Sequence, residues 1–193
     1  MKDFKTDFSS DMQEALDCLR KGGVILYPTD TIWGIGCDAR NSEAVKRIYN
    51  IKNRIDSKSM LVLVNNEKAL ENIIEDIPEI TWDLLEVAAN PLTIIYDKAF
   101  GIAKELIAKD GSVGVRISKE SFSNELCKRL GAPIVSTSAN ISGEKSPSNF
   151  KEISDNIKNK VDYIVHYRQN EVSSHTPSNI IKLSKGGVIK IIR

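Results

Sequence analysis

The chain reads as an α/β fold built around a mixed sheet. Two observations carry that class. Short apolar runs of strand length alternate with amphipathic helical stretches along the sequence. Gly, Pro, Asn and Ser punctuate the joints between them. Length supplies a bound: 193 residues can bury a core within one domain.

Residues 10–21 place Met12, Ala15, Leu16 and Leu19 on one face, so they are expected to be helical, with Ser10 as cap and Gly22 and Gly23 as the stop. Residues 24–27 form an apolar strand ended by Pro28, and a polar, glycine-containing loop follows over 29–40. Ser42 is placed to cap a second helix whose inner side carries Ala44, Val45, Ile48 and Tyr49, and 60–64 is a strand. Helices are then expected at 79–89, 100–108 and 121–130, alternating with strands at 92–96, 113–117 and 133–136. A helix near 150–158 leads into strands near 161–166, 179–183 and 187–192. Residues 142–149, rich in Ser, Gly and Pro, are expected to form a mobile loop.

Composition removes several function classes. Hydrophobic residues are 41% and charged residues 27%, as in an ordinary globular protein. The formal charge is +1, from 27 basic and 26 acidic residues, so phosphate binding has to come from a local patch. Cys18, Cys37 and Cys127 are far apart, and His166 and His175 have no cysteine at ligand spacing, which argues against a disulfide framework or a metal site. The first residues lack an apolar h-region and no run reaches membrane-spanning length, so a cytoplasmic location without membrane contact is expected.

Three segments carry chemistry. Residues 28–36, P-T-D-T-I-W-G-I-G, put hydroxyls and a carboxylate directly after a buried strand, where α/β folds place ligands. Gly34 and Gly36 would let a ligand approach the backbone, although the same residues suit a turn that bonds to itself. Lys52, Arg54 and Lys58 crowd three cations into seven residues past a helix, enough to hold a triphosphate or simply to form a solvated basic loop. There is no Walker motif and no G-x-G-x-x-G. The third segment joins Arg116, ending the V-G-V-R strand, to the hydroxyl-rich stretch from Ser136 through T-S-A-N-I-S-G at 137–143. Such hydroxyls buried without partners would each cost about 1–3 kcal/mol, so they face a polar ligand or bond locally.

Together and in this order, the segments resemble the YrdC-type threonylcarbamoyl-AMP synthase family, whose signatures are P-T-D-T-x-Y-G-L-G, K-x-R, V-x-V-R and T-S-A-N-x-S-G. Trp33 stands for the usual tyrosine, Ile55 and Ser59 for usual prolines, N-P-L-T at 90–93 for P-G-P-L-T, and Asn179 for the threonine of P-S-T. The resemblance implies one YrdC-like domain over 1–193, with a twisted mixed sheet, flanking helices and a concave basic and polar cleft. It implies condensation of L-threonine, bicarbonate and ATP to threonylcarbamoyl-AMP with release of pyrophosphate, with Mg2+ carried chiefly by the phosphates.

Thr31, Arg116, Ser136 and Ser178 match the family's threonine contacts, and Lys52, Arg54, Lys58, Ser112, Ser138, Asn140, Ser146 and Arg193 its ATP side. Lys52, Arg54, Ser138 and Asn140 are the residues it implies for catalysis, and Arg193 is expected to fray as the last residue. On this reading, removing Lys52 or Arg54 lowers turnover while the fold melts as before. Implied partners are tRNA or double-stranded RNA and the tRNA threonylcarbamoyl-transfer machinery. Two rival readings are a YciO-like paralogue and an RNA-binding, translation-associated module; the near-neutral charge and the lack of an RNP-like aromatic motif argue against the second.

Overall fold

The computed structural model describes residues 8–53, 60–171, 177–184 and 186–193. Among them a nine-stranded mixed sheet runs β7-β1-β2-β6-β3-β5-β4-β8-β9. Its strands are β1 (Ile25–Tyr27), β2 (Gly34–Gly36), β3 (Leu61–Val64), β4 (Leu92–Tyr96), β5 (Val113–Ile117), β6 (Ile134–Ser138), β7 (Tyr163–Ile164), β8 (Asn179–Ser184) and β9 (Val188–Ile191). β3 pairs parallel with β5 and antiparallel with β6, and β4 pairs antiparallel with β5 and parallel with β8. The helices are α1 (Ser9–Arg20), α2 (Ser42–Ile51), α3 (Glu67–Glu71), α4 (Ile80–Val87), α5 (Ser121–Leu130) and α6 (Asp155–Lys158).

Strand alternation sends successive side chains to opposite faces. Leu26, Val62, Val64, Ile94, Val113 and Val115 join one core cluster with α2 residues Ala44, Val45 and Ile48. Ile25, Tyr27, Leu63 and Ile134 face the other way, under α1 (Met12, Leu16, Leu19) and α5 (Phe122, Leu126). That second layer packs on β1, β3 and β6. Farther along the same face, Thr93, Ile95, Gly114 and Ile180 line an open cleft instead.

Several expectations change. α1 starts at Ser9, and Ser10 is no cap: Phe8 holds the cap position without a side-chain hydrogen bond. The Phe8 ring sits edge-on to Phe122 at 5.5 Å, so packing sets the helix start. Asn41, not Ser42, caps α2, accepting from the Ala44 N–H at 3.1 Å. The expected loop at 29–40 contains β2, paired with β1 and β6. α3, unread in the sequence, is capped by Asn66 at 2.8 Å. The expected helix at 100–108 shrinks to a 3-10 turn, Lys104–Leu106. The N–H groups of Phe100 and Ala103 reach Ile73 and Ala39 instead, at 2.9 and 2.8 Å, which breaks the local ladder. The stretch 150–158 splits into a 3-10 turn at Phe150–Glu152 and α6, because Ile153 and Ser154 are extended.

Gly36 is a packing glycine. A Cβ there would lie 2.5 Å from the Val135 carbonyl oxygen and 2.6 Å from Tyr27 Cε1. A backbone oxygen inside a sheet cannot retreat, so this position serves strand approach rather than ligand approach. Gly36→Ala is expected to destabilise the protein by about 2 kcal/mol, as overpacking does. Urea denaturation checks it; an unchanged midpoint would show that the β1–β2–β6 spacing yields.

Candidate functional site

The open part of the sheet face forms a cleft of about 390 Å³, within the roughly 300–1,000 Å³ of small-molecule sites. Register explains its lining. Gly34 sits opposite Ser138, Leu61 opposite Ser136, Ile95 opposite Gly114 and Thr93 opposite Ile180, so each pair projects to one face. Arg116, opposite Leu63, shares that face. Thr31, Ser112, Ser146, Ser178 and Arg193 complete the polar wall.

Arg116 is the electrostatic centre. It is 3% exposed, and burial pulls its pKa down against the opposing pull of Asp30. Nη2 lies 3.0 Å from Asp30 Oδ1 and donates to Thr31 Oγ1 at 3.3 Å. The Asp30 contact is close but off line, because Oδ1 accepts no hydrogen bond among the described residues. The buried Arg116 Nε–H has no acceptor among them either. Asp30 is shifted the opposite way: burial raises its pKa, and Arg116 only partly offsets that. A guanidinium so buried and so incompletely matched has the donors that a planar carboxylate could accept from.

The hydroxyls around it are fixed. Thr29 Oγ1 accepts from the Thr31 N–H at 3.0 Å, which ties the turn after β1. Ser178 Oγ lies 2.8 Å from Thr93 Oγ1, and Arg193 Nε donates to the Ser178 carbonyl at 3.1 Å. Arg193 does not fray as expected: its backbone exchanges bonds with Ile180 at 2.9 and 3.1 Å. Asp110 Oδ1 accepts from Ser112 Oγ at 2.6 Å. Gly143 adopts φ 92 at the start of the expected mobile loop, and Ser146 within it lines the cleft.

Lys52 and Asn140 are not among the cleft's lining residues. Lys52 is 1% exposed. Its ammonium donates to the carbonyls of Ser138 and Asn140, the latter at 2.6 Å, and approaches Asn140 Oδ1 at 3.5 Å. The amide of Asn140 donates to the carbonyls of Ile141 and Glu144 at 3.1 and 2.8 Å. The structure thus turns Lys52 into the 138–140 turn that borders the cleft. Arg54 and Lys58 lie outside the described residues.

Sequence reasoning missed Arg168. It is left-handed (φ 66), and its Nη1 donates to the Thr29 carbonyl at 3.0 Å. Nothing in its sequence context points there, because the contact joins residues 139 apart. Also unforeseen is a second cleft of about 930 Å³, lined by Asp30, Trp82, Leu85, Pro91, Ile117 and Lys119 among others. The turn at 28–31 divides the two clefts, with Thr31 on one and Asp30 on the other.

No thiol is poised as a nucleophile: burial pushes Cys18 up to about 11 and Cys127 to about 12. No group of three or more His, Cys, Asp or Glu that could hold a metal occurs among the described residues. No helix there is long and apolar enough to cross a membrane.

Comparison with known proteins bears on the family and the fold. A relative from Methanocaldococcus jannaschii is 35% identical over 185 residues, covering 93% of this chain and 85% of its own. The threonylcarbamoyl-AMP synthase of Pseudoalteromonas translucida is 30% identical over 183 residues, covering 93% and 96%. Among solved structures, P. abyssi Sua5 complexed with L-threonine superposes with a TM-score of 0.80 at 26% identity, over 89% of this chain. This chain spans about half, 50%, of that Sua5 chain. The Sua5/YciO/YrdC family model, described as telomere recombination, matches residues 17–193, and the chain belongs to that family.

Proposed function

We propose that the protein is an L-threonylcarbamoyladenylate synthase, a nucleotidyl-transferring enzyme that uses ATP, L-threonine and bicarbonate. The observation that carries the proposal is Arg116, a buried guanidinium with spare donors set among Thr31, Ser136 and Ser178. A threonine carboxylate supplies the acceptors that this cation lacks, and the hydroxyls receive the amino acid's polar side. The name of the 30%-identical bacterial relative, and the threonine in the Sua5 complex, support this reading over a YciO-like paralogue.

In the proposed reaction, the threonine nitrogen bonds to the bicarbonate carbon and loses a proton, while one C–O bond of bicarbonate breaks and its oxygen leaves as water. A carbamate oxygen then bonds to the α-phosphorus while the bond to pyrophosphate breaks. Such chemistry needs alignment and charge neutralisation more than a protein nucleophile. Ser112, Ser138, Ser146 and Arg193 are proposed to contact the nucleotide, with Asn140 ordering the turn beside Ser138. Arg54 and Lys58 are proposed to meet the phosphates, and any Mg2+ would come with those phosphates. The product would pass to tRNA-modifying transfer machinery, and direct contact with tRNA is a separate proposal.

The test is substrate dependence. Conversion of ATP to threonylcarbamoyl-AMP and pyrophosphate is expected to require threonine and bicarbonate together, with other amino acids inactive. Equal pyrophosphate release with threonine omitted would overturn the assignment.

A further inference from the structure

We infer that Arg168 is a positioning residue for the threonine subsite, acting through the backbone of the turn at 29–31. The inference rests on reading the cleft as a threonine site.

Arg168 does not line the cleft. Its side chain is 16% exposed and is held from several sides. Nε donates to Glu171 Oε2 at 2.6 Å, and Nη1 lies 3.6 Å from Glu120 Oε1. Glu120 is itself immobilised at the start of α5, where its carboxylate accepts from Phe122 N, Ser123 N and Ser123 Oγ at 3.1, 2.7 and 2.8 Å. From this anchored base, Nη1 reaches the Thr29 carbonyl at 3.0 Å. Thr29 Oγ1 then holds the Thr31 N–H, and Thr31 Oγ1 receives Arg116. One ion pair and three hydrogen bonds therefore link the start of α5 through Arg168 to the guanidinium in the cleft.

Two features set this apart from an ordinary surface ion pair. A non-glycine residue at φ 66 is uncommon, and such backbone persists where its surroundings over-determine it. The acceptor is also a main-chain carbonyl one residue before Asp30, so the contact fixes backbone and not only charge. Arg168 is in addition the second cation drawing down the Asp30 pKa, after Arg116. Removing it would loosen the turn and leave Asp30 with Arg116 alone.

Arg168→Ala, Arg168→Lys and Arg168→Gly are compared in the full chain; glycine accepts the left-handed backbone. In Arg168→Ala, the KM for threonine is expected to rise about tenfold, with kcat and the KM for ATP within about twofold. A tenfold change corresponds to about 1.4 kcal/mol. Arg168→Gly should match alanine, which assigns the effect to the lost guanidinium rather than to the backbone angle. Arg168→Lys should recover part of the affinity, because one ammonium cannot bridge Thr29 and both carboxylates. Amide exchange at Thr31, read by NMR without substrates, should quicken about tenfold in the alanine variant. Unchanged Thr31 exchange would overturn the proposal whatever the kinetics. So would equal rises in both KM values, which mark a general fold defect. Should the wild-type protein release no threonine-dependent pyrophosphate, the functional reading fails, and the exchange arm alone then decides whether Arg168 fixes the turn.

Discussion

Arg116→Ala raises the KM for threonine by about a hundredfold or more, while the KM for ATP changes little. Truncating one member of a buried charge pair costs about 3–5 kcal/mol, much of it from the partner left behind. Here that partner is Asp30, 3.0 Å away with 11% of its side chain exposed. The loss therefore divides in two. One part falls on stability, because Asp30 must take up a proton or stay charged with only the weaker pull of Arg168; its pKa already lies above the usual value through burial. The other part falls on ligand binding, because on the proposed reading the guanidinium no longer meets the threonine carboxylate. A double variant, Asp30→Asn with Arg116→Ala, separates them. It should recover melting temperature and leave threonine binding poor. Steady-state kinetics with threonine varied at saturating ATP, beside thermal melts, reads both quantities. A threonine KM within twofold of wild type in Arg116→Ala would remove Arg116 from the site.

The second large effect concerns Lys52, where the structure adds a loss of stability to the loss of turnover expected from the sequence. Read as a phosphate ligand, Lys52 could be removed with turnover lost and the fold melting as before. In the structure it is 1% exposed and its ammonium is bonded to the Ser138 and Asn140 carbonyls. Its own carbonyl accepts from the Ser142 N–H at 2.8 Å. Lys52→Met keeps most of the apolar stem and removes the donors. Leaving buried acceptors unsatisfied costs about 1–3 kcal/mol each, so a loss of about 3 kcal/mol is expected. For a chain of this size that lowers Tm by about 6–12 °C. Turnover should fall as well, because the 138–140 turn carries Ser138 at the cleft wall. Scanning calorimetry on the apo protein decides between the two roles. Lost turnover with an unchanged Tm would mean that the ammonium works on phosphate and the turn stands without it.

The contrast between Arg116 and Lys52 shows which parts of the site were legible. Hydroxyls and an arginine at strand ends mark a ligand face, because an α/β sheet exposes its strand ends and its uncovered face to small molecules. Thr31, Ser112, Arg116, Ser136, Ser138, Ser146, Ser178 and Arg193 do converge on one cleft. Lys52 stood in the right segment but points into the protein, because direction depends on which carbonyls the 138–140 turn presents to it, 86 and 88 residues away. Arg168 left no local trace, since its meaning lies in the bond to Thr29.

By itself the sequence determined the mixed α/β class, the β4, β5 and α5 segments, and the inner faces of α1 and α2. These follow from side-chain period and from end signals such as Gly22 after α1, which takes φ 80. Tertiary structure decided the rest. The 100–108 stretch exchanged its helix for bonds to Ile73 and Ala39. β2 formed because β1 and β6 offered it partners on both sides. Phe8 took the start of α1 through its contacts with Phe122 and Tyr167. Hydrogen bonds and packing across long sequence separations carry free energies as large as local propensities, and no local pattern records them.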